Sequence, residues 1–69
     1  MKEEYIRDFS GIIIGIVEYK DNGDQVVRSF ASRQILGYYR KAENHTTDFL
    51  GRILSRGNTA IALIYENGK

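Results

Sequence analysis

The fold of this chain is decided by DFSGIIIGIVEY, residues 8–19, in which Asp-Phe-Ser-Gly precedes a run of branched aliphatic residues. The arrangement returns as TDFLGRILS, residues 47–55, and more weakly as RSFASRQILG, residues 28–37, with one extra residue in its turn. The three copies align on Phe9, Phe30 and Phe49. An internal repeat of this length predicts a fold assembled from copies of one supersecondary unit.

The residue pattern of each copy predicts a β-hairpin. Gly11 and Gly51 lie between stretches rich in β-branched and aromatic residues, where a tight turn requires a positive φ. The middle copy has Arg33 where the turn glycine belongs. Asn22-Gly23 between the first two copies is a strong hairpin signal, and the polar segment 41–44 connects the second copy to the third. The repeats and their connections therefore form a continuous series of turns and strands.

The sequence predicts a mainly β fold: one domain over residues 1–69, an antiparallel meander of repeated short hairpins with neighbouring strands paired. The predicted strands lie near residues 4–9, 12–19, 25–30, 34–40, 45–49 and 52–56.

The C-terminal segment 58–65 fits two structures. Asn58 or Thr59 could cap a helix of two turns, whereas Thr59, Ile61, Leu63 and Tyr65 satisfy the period of a strand. We favour a strand, with a short C-terminal helix as the alternative.

Both faces of the predicted sheet are apolar. The opposing sets are Ile12, Ile14 and Ile16 against Ile13, Val17 and Tyr19 in the second strand, and Leu36 and Tyr38 against Ile35 and Tyr39 in the fourth. Strands covered on both sides have this composition. Either the meander closes into a small barrel, sandwich or flower-like form, or a second copy of the chain supplies the missing layer. We favour a homodimer, because symmetric dimers are the commonest oligomers and association protects free sheet edges.

The recurring pattern, Asp-Phe-x-Gly-x-Ile-Ile/Leu-Gly, resembles the small bacterial repeat proteins of the four-fold β-flower family. The matching positions are Gly11, Ile13, Ile14 and Gly15 in the first copy, Ile35, Leu36 and Gly37 in the second, and Gly51, Ile53 and Leu54 in the third. The chain departs from the pattern at Arg33 and Ser55 and shows no fourth copy. The resemblance implies a flower-like β fold and an uncharacterised protein, with no catalytic residues to transfer.

Composition narrows the function classes. The chain has no cysteine and a single histidine, His45, which argues against disulfides and a zinc site. No bound cofactor is predicted. Ten basic and nine acidic residues give a net charge of +1, too small to indicate a nucleic-acid or membrane partner. The longest apolar run, residues 60–65, is far too short for a membrane span, and residues 1–8 lack the pattern of a secretion signal. We expect a cytoplasmic protein.

Two pairs of repeated residues invite a functional interpretation, and in both we favour a structural one. Gly15 and Gly37 could admit a ligand, but strand glycines more often mark a bulge or a place where another group packs over the sheet. Asp8 and Asp48 could act as paired carboxylates in hydrolysis. The middle copy, however, has Ser29 near this position, which suits a turn hydrogen bond and not acid–base chemistry.

Basic and aromatic residues alternate along the chain in a way that could bind single-stranded nucleic acid. The set consists of Arg7, Arg28, Arg33, Arg40, Arg52 and Arg56 with Tyr5, Phe30, Tyr38, Tyr39 and Phe49. Acidic residues are spread through the same segments, so we favour a mixed solvated surface with cross-strand ion pairs.

Two polar stretches are also better explained structurally. Segment 21–24, Asp-Asn-Gly-Asp, lacks the ligand spacing and distal Glu of a calcium loop and is predicted to be a turn. Asn44-His45-Thr46 is a glycosylation sequon that matters only in a secreted protein. His45 has no candidate nucleophile or cysteine near it in sequence.

No catalytic, cofactor-binding or metal-binding residues are predicted, and the chain is not expected to be an enzyme. We expect a structural or protein-interaction module that acts as a homodimer, with no membrane partner and an unknown small-molecule ligand, if any. The alternative is weak binding of single-stranded nucleic acid through the arginine and aromatic residues of the sheet.

Overall fold

The computed structural model describes residues 2–67 as one six-stranded antiparallel sheet followed by a helix. The elements are β1 (Lys2–Arg7), β2 (Ile13–Tyr19), β3 (Gln25–Ser29), β4 (Ile35–Arg40), β5 (His45–Asp48), β6 (Ile53–Arg56) and α1 (Ala60–Asn67). Strand order in the sheet equals strand order in the chain, so the predicted meander of hairpins is confirmed. The sheet remains open, with β1 and β6 at its two edges.

The turns have the backbone conformation that the repeat requires. Gly11 and Gly51 have φ values of 91° and 88°, and Gly23 in the connection between the first two copies has 93°. Arg33, which replaces the turn glycine in the middle copy, has a φ of 63°, and Asn44 has 51°. This region is costly for residues with a Cβ. The repeat geometry is therefore maintained in the middle copy at a cost in backbone strain.

A register shift recurs at the same place in all three hairpins. It falls opposite Ile6/Arg7 in the first, Val27/Arg28 in the second and Thr46/Thr47 in the third. The extra residue on the second strand of each hairpin interrupts the regular alternation of side chains, as a β-bulge does.

The bulge corrects the predicted assignment of faces in β2. Ile13 pairs with Arg7, and Ile16 pairs with Tyr5, so Ile13 and Ile16 share a face, whereas Ile14 joins the core. In β4, Ile35 and Tyr38 share a face for the same reason. A strict period of two could not anticipate the extra residue.

The strand favoured for residues 58–65 is wrong, because this segment forms α1. Gly57, with a φ of 85°, turns the chain after β6, and the Asn58 side chain accepts a hydrogen bond from the Ala60 N–H at 3.2 Å. Ala60, Leu63 and Ile64 are buried, the spacing of one helix face. The apolar residues of this segment satisfy both periods, and packing against the sheet selects the helical one.

Three equivalent repeat positions form the surface on which α1 lies, and we call Gly15, Gly37 and Ser55 the helix seat. A Cβ built on Gly15 would lie 2.5–2.7 Å from three side-chain carbons of Ile64. A Cβ on Gly37 would lie 2.5 Å from Leu63 Cδ1, and the Ser55 and Thr59 hydroxyls are hydrogen-bonded to each other. The strand glycines thus mark a close approach by another element, as predicted, and that element is the chain's own helix.

The helix gives the sheet a covered face and an open face. Val17, Val27 and Thr46 are fully buried beneath α1 or beside it, together with Ala60 and Ile64. The chain itself therefore covers one of the two faces whose apolar residues need cover. Homodimer formation across the other face stays a prediction.

Candidate interaction surface

The open face of the sheet, opposite α1, carries two rows of side chains that the strand register aligns. One row is Tyr5, Ile16, Arg28 and Ile35; the next is Glu18, Val26, Tyr38, Thr47 and Ile53. Ile16 and Val26 are buried in the middle of these rows, and Arg28 forms an ion pair with Glu18 beside them. The open face is thus apolar at its centre and flanked by aromatic rings and charges.

Exposed apolar side chains concentrate at one end of the sheet, where the three repeat turns lie. We call the three turns, residues 9–12, 30–34 and 49–52, together with the strand starts that follow them, the apolar end. Six of the nine exposed large apolar residues of the described chain belong to it: Phe9, Ile12, Phe49, Leu50, Ile53 and Leu54. Phe9 is the extreme case, because its exposed fraction is 105%.

The opposite end of the sheet is polar. Its two hairpin connections, residues 20–24 and 41–44, consist almost entirely of charged, amide and glycine residues. The Asp24 carboxylate links the two connections, because it accepts the Lys41 N–H at 2.9 Å and lies 3.9 Å from the Arg40 guanidinium. Segment 21–24 is a turn, as predicted, with the Gly23 N–H donating to the Lys20 carbonyl at 3.0 Å. The sheet is therefore strongly polarised from end to end.

Asp8 and Asp48 hold equivalent turns, as predicted. Oδ1 of Asp8 accepts the N–H groups of Ser10 at 2.9 Å and Ile12 at 3.1 Å. Oδ1 of Asp48 accepts the N–H groups of Leu50 at 3.0 Å and Arg52 at 2.9 Å. Both carboxylates are thus committed to turn hydrogen bonds.

These bonds set the acidity of the two carboxyl groups. The Ser10 hydroxyl, followed by the backbone donors, lowers the pKa of Asp8 against the opposing effect of burial. Burial acts to raise the pKa of Asp48, but hydrogen bonds from Arg52 and Leu50 outweigh it and lower that pKa. Both side chains are therefore ionised acceptors at neutral pH, which suits turn formation.

The arginine and aromatic residues form two clusters on the open side. In the first, the Phe30 ring meets the Tyr5 ring edge to face at 6.1 Å, and the Arg33 guanidinium lies 4.4 Å from the Phe30 centroid. In the second, the Arg40 guanidinium lies 5.2 Å from the Tyr38 centroid. Both distances are within the range of cation–π interaction.

The other arginine and aromatic residues of the predicted nucleic-acid-binding set include several that contact groups outside these two clusters. Arg52 forms an ion pair with Asp48 at 2.7 Å in its own turn, and Arg28 pairs with Glu18. Tyr39 lies on the covered face, packed against the core. The Arg7 guanidinium donates to the Gly11 carbonyl at 2.9 Å.

A groove of about 430 Å³ crosses the open face beside the second cluster. Its lining includes Val26, Tyr38 and Arg40 of the sheet, Lys20 of the polar end and Phe49 of the apolar end. Such a volume could admit an aromatic ring or a short extended segment. The groove thus joins the open face to the apolar end.

His45 takes no part in these clusters. Its Nε2 lies 3.3 Å from a carboxylate oxygen of Glu43, within the same turn region. Within residues 2–67, no three acidic or histidine side chains come together as a metal site. None of these residues belongs to a helix with the length and hydrophobicity needed to cross a membrane.

Sequence reasoning missed two features of this region. It did not single out Thr46 and Thr47, which are buried at 0% and 3% exposure although their type is usually found at the surface. It also did not anticipate that Phe9 would be exposed while Phe30 is packed, although the terminal position of a repeat is a signal for such a difference. No protein-family model, curated protein or solved structure matches the chain.

Proposed function

We propose that this protein is a structural or protein-interaction module that acts as a homodimer, with the apolar end and the open face as its contact surface. The observation that carries the proposal is the concentration of six exposed large apolar side chains at one end of the sheet. Monomeric soluble proteins rarely expose large apolar patches, and those that do use them for binding.

The amount of exposed apolar surface supports the proposal. At roughly 100 Å² of exposed area for each large side chain, the six residues present on the order of 600 Å². A standard interface takes about 800 Å² from each partner. The apolar end together with part of the open face therefore suffices for a specific contact.

The charge distribution also supports a contact at this end. The polar end carries Lys20, Asp24, Lys41 and Glu43, whose desolvation would be costly, whereas the apolar end has few charges beyond those tied into its turns. Association through the apolar end buries little uncompensated charge.

The test is the mass of the protein in solution over a wide concentration range, measured by sedimentation velocity. We expect a reversible transition from one copy to two, and we expect Leu50→Lys to shift it to higher concentration because it introduces a charge at the apolar end. The matched control is Lys41→Glu at the polar end, which should leave the transition in place. A single-copy mass at every concentration would refute the proposal.

A second candidate function, weak binding of single-stranded nucleic acid, is favoured by the two cation–π clusters on the open side. Arg33 and Arg40 lie beside rings on which bases could stack, and the open face is accessible to an extended strand. Titration of a labelled single-stranded oligonucleotide at increasing salt tests this function. If Arg33 and Arg40 each neutralise one phosphate, removal of both lowers the salt slope by about 1.4.

Arg52→Ala is the control for that titration, because its guanidinium is held by Asp48 and it should not change the slope. Binding that is undetectable at low ionic strength, or that does not depend on salt, would exclude the second candidate. We propose the cytoplasm as the compartment, since a chain without cysteine gains nothing from an oxidising environment; cell fractionation tests it.

A further inference from the structure

Successive hairpins of the sheet are joined in one repeated register. Gly15 pairs with Ser29 between the first and second hairpins, and Gly37 pairs with Asp48 between the second and third. In both steps, the residue opposite the glycine directly precedes the phenylalanine of the next repeat. The chain therefore makes the same hairpin-to-hairpin contact twice.

At both contacts a phenylalanine lies beside the preceding hairpin, although its partner residues differ. Phe30 of the second hairpin packs against Tyr5 of the first, and Phe49 of the third lines a cavity with Ile35 and Tyr38 of the second. The phenylalanines of the second and third hairpins thus each lie beside the preceding hairpin.

The first and the last hairpin of the sheet each leave one side of this contact exposed. Within residues 2–67 no hairpin precedes Phe9, and its side chain is fully exposed. No hairpin follows Ile53 in the described sheet, and it is 65% exposed, whereas the equivalent Ile13 and Ile35 are half-buried. Phe9 and Ile53 are therefore complementary surfaces that one copy cannot bring together, because they lie at opposite edges of an open sheet.

We infer that two copies of the chain extend each other's sheet: β1 of each copy lies antiparallel beside β6 of the other, and Phe9 of each packs over Ile53 of the other, so that the pair closes on itself. The inference rests on the proposed self-association and narrows its contact surface to the two edge strands and the residues of the apolar end beside them. In the repeated register, Ser55 of one copy pairs with Asp8 of the other, as Gly15 pairs with Ser29. The contact satisfies the backbone groups of two edge strands, which otherwise attract non-specific pairing.

The same register makes a prediction about charge. Ile16 pairs with Arg28 and Tyr38 pairs with Thr47, so the equivalent pair between copies is Arg56 with Arg7. Like charges directly opposite each other weaken a strand pair. Arg56→Glu replaces this repulsion by attraction and should tighten association by roughly two- to fivefold.

A complementation experiment tests this edge-to-edge geometry. Phe9→Asp removes one half of the contact and Ile53→Asp removes the other, so each variant alone should be a single copy in sedimentation velocity. An equimolar mixture retains one intact contact, Phe9 of one variant on Ile53 of the other, and should form a pair. Ile61→Asp, which alters an exposed aliphatic residue on α1, is the control and should associate like the unaltered chain.

The outcomes separate the inference from the proposed function. If the unaltered chain associates but either variant still associates alone, or the mixture forms no pair, the edge-to-edge geometry is wrong while self-association stands. If the unaltered chain remains a single copy at every concentration, both are wrong. Because both substituted side chains are largely exposed, far-UV circular dichroism of the single-copy variants should match the unaltered chain, which confirms that they are folded.

Discussion

Replacing Gly15 by alanine probes the tightest contact of the fold, that between the helix seat and Ile64. The added methyl carbon would lie 2.5–2.7 Å from Cγ2, Cδ1 and Cγ1 of Ile64, well inside van der Waals contact. Ile64 is fully buried, so it can move aside only by displacing other core side chains. Overpacking of this kind costs about 1–3 kcal/mol, whereas loss of glycine flexibility in a strand returns about 0.5–1 kcal/mol. We expect a net destabilisation of about 1–2 kcal/mol.

The free energy of unfolding is measured by urea titration, followed by circular dichroism and tyrosine fluorescence at a concentration where the chain is a single copy. A domain of this size has a total stability of about 3–10 kcal/mol, so the change is a large part of it. With a slope near 1 kcal/mol per M, the midpoint should fall by roughly 1–2 M.

A double-mutant cycle shows whether the clash with Ile64 is the cause. Ile64→Ala alone should cost about 2–5 kcal/mol, and it removes all three carbons that the new methyl group would meet. Gly15→Ala with Ile64→Ala should therefore be less destabilised than the sum of the single variants by about 1–3 kcal/mol. Ile64→Val is the milder partner if Ile64→Ala does not fold; it removes only Cδ1 of the three contacting carbons, so the coupling with Gly15→Ala should be smaller.

Gly11→Ala is the matched control, because a Cβ there meets nothing within 4 Å and its cost arises only from the positive φ. Its effect should add to that of Ile64→Ala within about 0.5 kcal/mol. Additivity of Gly15→Ala with Ile64→Ala would refute the account of the helix seat.

Three further predictions concern polar groups that hold the fold. The folded-state pKa values of Asp8 and Asp48 lie below their unfolded values, so their stabilisation is present above about pH 4 and is lost as pH falls through the folded values. Thermal unfolding should therefore show a decline in Tm below about pH 4 that is shallower in Asp8→Asn. Thr46→Val should cost about 1–3 kcal/mol in urea titration, because the Thr46 hydroxyl accepts the Thr59 N–H at 3.0 Å and donates to the Gly57 carbonyl at 2.8 Å; an unchanged midpoint would contradict this role. Asn58→Ala removes the acceptor for the Ala60 N–H and should cost about 1 kcal/mol, with Asn58→Ser as the variant that retains the cap.

The hairpins could be predicted from the sequence because their signals are local. Gly11, Gly23 and Gly51 occupy turns that need a positive φ, and the repeat phase identified the equivalent turn at Arg33 without a glycine there. The structural roles of Asp8 and Asp48 followed from the same phase, since turn hydrogen bonds depend only on near neighbours.

The structure of residues 58–65 could not be decided locally. Its apolar residues satisfy both the helical and the strand period, and the outcome depends on Gly15 and Gly37, which lie far away in sequence and leave room for Leu63 and Ile64. The bulges were missed for a related reason: nothing in Ile13-Ile14-Gly15 reveals from composition alone that two residues oppose one on β1. The residues of the open face could not be predicted for the same two reasons, because they depend on the bulges and on where α1 lies.

The order of elements along the chain has a consequence for biosynthesis. A ribosome completes all six strands before it adds residue 60, the start of the segment that buries Val17 and Val27. Until then the nascent hairpins can pair with their neighbours, but the apolar side that α1 will cover remains in water. The sheet without α1 therefore exposes aliphatic side chains, and completion of folding waits for the helix.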